Sequence, residues 1–139
     1  MMNFKTLLFA PLLLLMSNCK TQSQTQNPAS ENKTFTLGIN KKVSIPNSKV
    51  TIEFENISED SRCPANVTCV WEGIAIVNLK TVSGSETKDI QVATRDFLPK
   101  QVTKSFSYSG FRFTLQDVRP YPGGKEEAPT VTLKYEREN

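Results

Sequence analysis

The sequence predicts an all-β fold, a small antiparallel sandwich or partly open barrel of about seven strands. Three observations predict it. From Thr34 onward apolar residues recur at every second position, and no window beyond the N-terminal segment holds a helical period. Clusters of Gly, Pro, Asn and Ser interrupt that alternation at short intervals. Finally, Cys63, Cys69 and the one tryptophan, Trp71, sit at the entrance to the longest apolar run, where a closed loop would launch a central strand.

The elements run in order along the chain. Phe35, Leu37 and Ile39 alternate with Thr34, Thr36 and Gly38, and Val43 and Ile45 extend the pattern until Pro46 stops pairing. Val50, Ile52 and Phe54 against Thr51, Glu53 and Glu55 make a half-buried strand. The run from Val70 to about Val82 carries apolar side chains on both faces, with Trp71, Ala75, Val77 and Leu79 on one and Ile74 and Ile76 on the other. Such a strand lies near the middle of a fold, covered on both sides over its first half. Ser83-Gly84-Ser85-Glu86 is a turn, and Asp89 to Ala93 is the returning arm of a hairpin. Thr94 to Lys100 is irregular, with Phe97 and Leu98 plugging an edge of the core. Val102 to Ser107 reads as a strand, Tyr108-Ser109-Gly110 as a turn, and Phe111, Phe113 and Leu115 as the buried face of the next strand. Pro120-Tyr121-Pro122-Gly123-Gly124 ends it, and Val131, Leu133 and Tyr135 mark the closing strand.

A chain of 139 residues allows one domain, and its first part is of a different kind. Lys5 precedes an apolar segment from Leu7 to Met16, which as a helix reaches about 15 Å, half the hydrocarbon core of a bilayer. Residues 1–18 therefore read as an export signal, not a spanning helix. With Cys19 directly after it, the segment resembles a bacterial lipoprotein signal peptide, although Met16 and Asn18 depart from the usual Leu and small residue of the lipobox. The resemblance implies a lipid on Cys19 and attachment to the membrane through it; the alternative is a secreted chain with a free thiol. Lys20, in place of the Asp that retains such proteins in the inner membrane of enteric bacteria, points to the outer membrane. Residues 19–33 are rich in Gln, Thr, Ser and Asn and read as a flexible tether, which leaves 34–139 as the β-domain.

With Cys19 set aside, Cys63 and Cys69 remain as a pair, and an oxidising envelope permits their disulfide. Closing so short a loop stabilises by roughly 2 to 2.5 kcal/mol on chain-entropy grounds. The chain has no histidine, and two thiolates alone do not close a zinc site, so we expect neither metal nor cofactor. The formal charge of +3, one unit of it from Lys5, provides no footprint for nucleic acid.

Asp60-Ser61-Arg62-Cys63-Pro64, then Cys69-Val70-Trp71 and Gly73 and later Pro120-Tyr121-Pro122, is similar to a group of uncharacterised bacterial envelope lipoproteins with a DSRCP…CVWxG signature. Glu72 stands where members of that group often carry Ala. The resemblance implies compartment and fold and carries no activity with it.

Four residues are candidates for a binding loop. Asp60 and Arg62 can form a recognition pair, or can satisfy the loop's own backbone with Arg62 on Asp60 or Glu72. Trp71 fits the core or a stacking platform. Tyr121, between two prolines, either packs over a sheet edge or makes an exposed, rigid contact. A calcium site from Asn56, Glu59 and Asp60 matches no known loop spacing. The sequons at Asn32, Asn56 and Asn66 have no meaning in a bacterial envelope. The absence of histidine removes the usual general base, and no Gly-rich loop precedes a helix, so the chain reads as no enzyme. We therefore expect a lipid-anchored, non-catalytic β-domain that binds an envelope protein or glycan, with an inhibitor of an envelope protease or lysozyme as the competing reading.

Overall fold

The computed structural model describes residues 33–139. The expected signal peptide, the lipidation site Cys19 and the tether up to residue 32 lie outside the described residues. Eight strands build two four-stranded antiparallel sheets, stacked as an open sandwich and not closed into a barrel. The strands are β1 (Lys33–Gly38), β2 (Lys42–Ser44), β3 (Val50–Asp60), β4 (Ala75–Ser83), β5 (Glu86–Ala93), β6 (Ser105–Tyr108), β7 (Phe111–Arg119) and β8 (Thr130–Arg137). One sheet runs β1-β8-β7-β6, the other β2-β3-β4-β5. The second is a simple meander, and the first is completed when β8 inserts between β7 and β1.

The alternation that predicts the strands also builds the core. Val50, Ile52 and Phe54 from β3 and Ala75, Val77 and Leu79 from β4 face Phe113, Leu115, Val131 and Leu133 across the sandwich, all buried. Phe106, Phe111, Phe113 and Tyr135 form an aromatic cluster with ring centroids 5.0 to 6.2 Å apart. Two hairpins have the turn chemistry their strands require. Ser109 and Gly110, at φ +47 and +81, join β6 to β7 as a two-residue loop in the left-handed region, and Gly84 at φ +61 plays the same part between β4 and β5.

Ile74 and Ile76 point away from this core, as the two-faced pattern predicts, into a second small cluster with Ala93 and Val102 under Phe97. The segment after β5 folds back over the outer face of its sheet to cover them, held by the Ala93 N–H donating to the Thr103 carbonyl at 2.9 Å and by a bridge between Phe97 and Val102.

Four expectations are corrected. The long strand does not begin at Val70: regular pairing starts at Ala75, and Gly73 at φ +70 interrupts the strand conformation, leaving only single bonds to the opposite chain beyond it. Trp71 is consequently not core but 46 % exposed. Leu98 does not plug the core either; it occupies a short 3-10 turn, Leu98–Lys100, and points into solvent, leaving Phe97 to do the covering. The strand expected over Val102 to Ser107 is β6 and starts at Ser105.

Candidate functional site

One end of the sandwich is assembled around Arg62. Pairing between β3 and β4 continues past their regular ends, with the Ser61 N–H donating to the Ile74 carbonyl at 2.8 Å and the Cys63 N–H to the Glu72 carbonyl at 3.0 Å. Alternation along this extension sets Asp60 and Arg62 on one side. Arg62 is 8 % exposed. Its Nε and Nη2 donate to the two Asp60 oxygens at 2.9 and 2.8 Å, a bidentate pair. Nη1 donates to the Val118 carbonyl at 2.6 Å and Nη2 also to the Pro120 carbonyl at 2.9 Å. One guanidinium thus fastens the loop after β3 to the end of β7.

The same loop is closed twice more. Cys63 and Cys69 are joined by a disulfide, with Cα atoms 5.9 Å apart. Gly73 lies so close to the opposite backbone that a Cβ would sit 1.8 Å from the Ser61 carbonyl oxygen, so glycine alone fits this crossing. Between these fastenings Val67 and Val70 are left exposed.

Tyr121 lies over Arg62, whose guanidinium carbon is 4.5 Å from the ring centroid, and Arg119 approaches the same ring at 4.9 Å. The Tyr121 hydroxyl donates to Asp117 Oδ1 at 3.1 Å, and Arg119 Nε donates to Asp117 Oδ2 at 2.7 Å. Burial alone would raise the Asp117 carboxyl, but the hydrogen bonds from Arg119 and Tyr121 outweigh it and hold the group below its ordinary range. On the other side, Trp71 packs against Phe97 at 5.5 Å, and the Arg95 guanidinium lies over its ring at 5.4 Å. Arg95 and Glu72 approach at 3.6 Å. Between these groups opens a cleft of about 220 Å³ bordered by Arg62, Glu72, Thr94, Arg95 and Tyr121.

Of the four candidate residues, Asp60, Arg62 and Tyr121 are brought together through Arg62, which the protein itself engages. Trp71 stands apart from them, on Arg95 and Phe97. The three residues considered for calcium have other partners: Asn56 holds Asn78, Glu59 holds Lys100, and Asp60 holds Arg62. Among the described residues no group of three or more His, Cys, Asp or Glu side chains is placed to hold a metal ion.

No protein-family model, curated protein or solved structure matches this chain. The functional reading therefore rests on the chemistry of the site.

Arg95, Arg119 and Asp117 were not among the sequence candidates. Asp117, Arg119 and Tyr121 recur at every second position, which on a strand end places them on one side, so period two could have found that trio. Arg95 carries no such signal; only the fold-back of the segment after β5 brings it to Trp71.

Proposed function

We propose that the protein is a lipid-anchored, non-catalytic binding module of the bacterial cell envelope, attached at the outer membrane through Cys19, and that the loop end of its sandwich takes up an envelope protein or glycan. One observation carries the binding surface. Of the exposed large apolar side chains among the described residues, Val67, Val70, Trp71, Leu98 and Tyr121 belong to the three loops at this end, and Ile39 alone lies elsewhere. Apolar side chains gathered in water mark surfaces that meet a partner. The Arg62 bonds and the Cys63–Cys69 bridge hold the loops after β3 and β7, and the Ala93–Thr103 and Phe97–Val102 bonds hold the loop after β5, so little chain freedom is lost on binding. The pattern of residues 1–19, the disulfide and the DSRCP…CVWxG resemblance support the compartment.

Cross-linking in the native envelope tests the surface. The full chain should recover a partner that Val70→Ser/Leu98→Ser loses; if the variant recovers the same partner equally well, the loop end is not the surface. Labelling with a palmitate analogue should mark the wild type and not Cys19→Ala, and an unlabelled wild type removes the anchor.

A second reading is favoured by the Cys63–Cys69 loop itself, a short disulfide-closed loop that leaves Val67 exposed for an enzyme cleft to receive. An inhibitor would block one member of a panel of proteases and lysozymes at one-to-one stoichiometry; a simple binding module would block none.

A further inference from the structure

The cleft beside Tyr121 differs from the apolar side chains exposed around it. Its polar lining divides into groups already engaged and groups still available. Arg62 is committed to Asp60 and to the Val118 and Pro120 carbonyls. Arg95 and Glu72 are held only loosely: they form an ion pair at 3.6 Å, beyond hydrogen-bond length, with Arg95 over the Trp71 ring, and the Glu72 side chain is 91 % exposed. The cleft therefore presents a planar set of N–H donors beside a carboxylate, with their charges balanced against each other. Thr94 adds a hydroxyl on the cleft wall, anchored by the Ala75 N–H donating to its Oγ1 at 3.1 Å, which leaves the hydroxyl proton available. Tyr121 borders the space with 40 % of its surface exposed.

That combination selects a chemical class. An anion would meet Arg95 but be opposed by Glu72, and a cation the reverse. A neutral polyol suits both, because vicinal hydroxyls donate to a carboxylate and accept from a guanidinium at once. The volume of about 220 Å³ is of the order of one sugar ring.

We propose that the cleft between Arg95, Glu72 and Tyr121 is a subsite for one neutral pyranose residue, a unit of an envelope glycan. This rests on the reading of the loop end as the binding surface and narrows its ligand to a glycan. The hydroxyls of one sugar edge donate to Glu72 and accept from Arg95, with the Thr94 hydroxyl on the wall beside them.

The test uses the full chain in detergent, titrated with glucose, galactose, mannose and N-acetylglucosamine, and with glucuronate and inorganic phosphate as anionic probes. Emission from Trp71, the one tryptophan, and amide shifts at residues 72 and 95 are the readouts. At least one neutral sugar should saturate both with a Kd of about 1 to 10 mM, as expected for a single small ring with few contacts. Arg95→Ala and Glu72→Gln should each weaken it about tenfold or more without moving the melting temperature, since both side chains stand in solvent. Failure of every neutral sugar to saturate by about 100 mM, far above that range, overturns the proposal. So does tighter binding of glucuronate or phosphate that strengthens further in Glu72→Gln, which would make the cleft an anion site. A partner recovered from the envelope, lost in Val70→Ser/Leu98→Ser yet indifferent to Arg95→Ala and to every sugar, overturns the sugar subsite and leaves the binding module standing. Absence of both sugar binding and partner removes both.

Discussion

Replacing Arg62 by Ala removes the bond between the loop after β3 and the end of β7, and its size can be worked from the contacts. The guanidinium side chain is 7 % exposed, and it engages both oxygens of Asp60 and two main-chain carbonyls. Removing one partner of a buried charged pair destabilises by about 3 to 5 kcal/mol, chiefly because the other charge is stranded. Here the Asp60 side chain is 24 % exposed, so water reaches it and the lower end applies, about 3 kcal/mol. For a domain of this size that lowers the melting temperature by about 12 to 20 °C. Urea unfolding followed by Trp71 emission measures the loss, and a double-mutant cycle with Asp60→Ala separates the pair from the carbonyls. The double variant should be no worse than Arg62→Ala alone, giving a coupling of about 2 kcal/mol, because Asp60→Ala removes the very charge that Arg62→Ala strands. Arg62→Lys should fall between wild type and Ala, since an ammonium keeps the charge but not the forked geometry. A loss below about 1 kcal/mol in Arg62→Ala, or strict additivity in the cycle, would refute the view that this one side chain fastens the loop end.

Three further outcomes are expected. Reduction of the Cys63–Cys69 bridge, or Cys63→Ala/Cys69→Ala, should lower stability by roughly 2 to 2.5 kcal/mol in urea, with both thiols titrating only after reduction. Gly73→Ala should cost at least about 2 kcal/mol, because it combines a positive φ with a Cβ driven into the Ser61 carbonyl; a neutral effect would mean the crossing relaxes freely. Asp117 is held below its ordinary range in the folded state, so its contribution is present above the unfolded carboxyl value near 3.9 and is lost as pH falls through the lower folded value. Urea stability measured from pH 6 downward should therefore drop less steeply in acid for Asp117→Asn than for wild type, and identical slopes would contradict the assignment.

Much of the fold was legible because a buried face with period two leaves its mark residue by residue. The two-sided strand β4 was readable from Ile74 and Ile76 against Ala75 and Val77, and each pair went to a separate cluster. Even the bulges are written in the chain: the buried series Phe111, Phe113, Leu115 resumes at Val118, three residues on, where the β7–β8 register shifts. The start of β4 was misread because Val70 and Trp71 continue the apolar run, and only the backbone angle of Gly73 breaks it. At the loop end the local half was accessible and the distant half was not. Arg62 and Asp60 are two residues apart and their pairing follows from strand alternation, whereas the Val118 and Pro120 carbonyls lie 56 and 58 positions away and carry no side-chain signature. A hydrogen bond to a main-chain oxygen leaves the identity of that residue free.

The place of β8 has a consequence for how the molecule matures. It fills an interior position of its sheet, with Leu133 opposite Leu115 on one side and Phe35 on the other. Until that segment arrives, β1 has no neighbour and Leu37 no roof. A chain cut short before Thr130 cannot settle for a smaller version of the same architecture; one sheet is reduced to the β6–β7 hairpin, and part of the other loses its cover. The closing strand is thus the last segment made and the one that completes the interior.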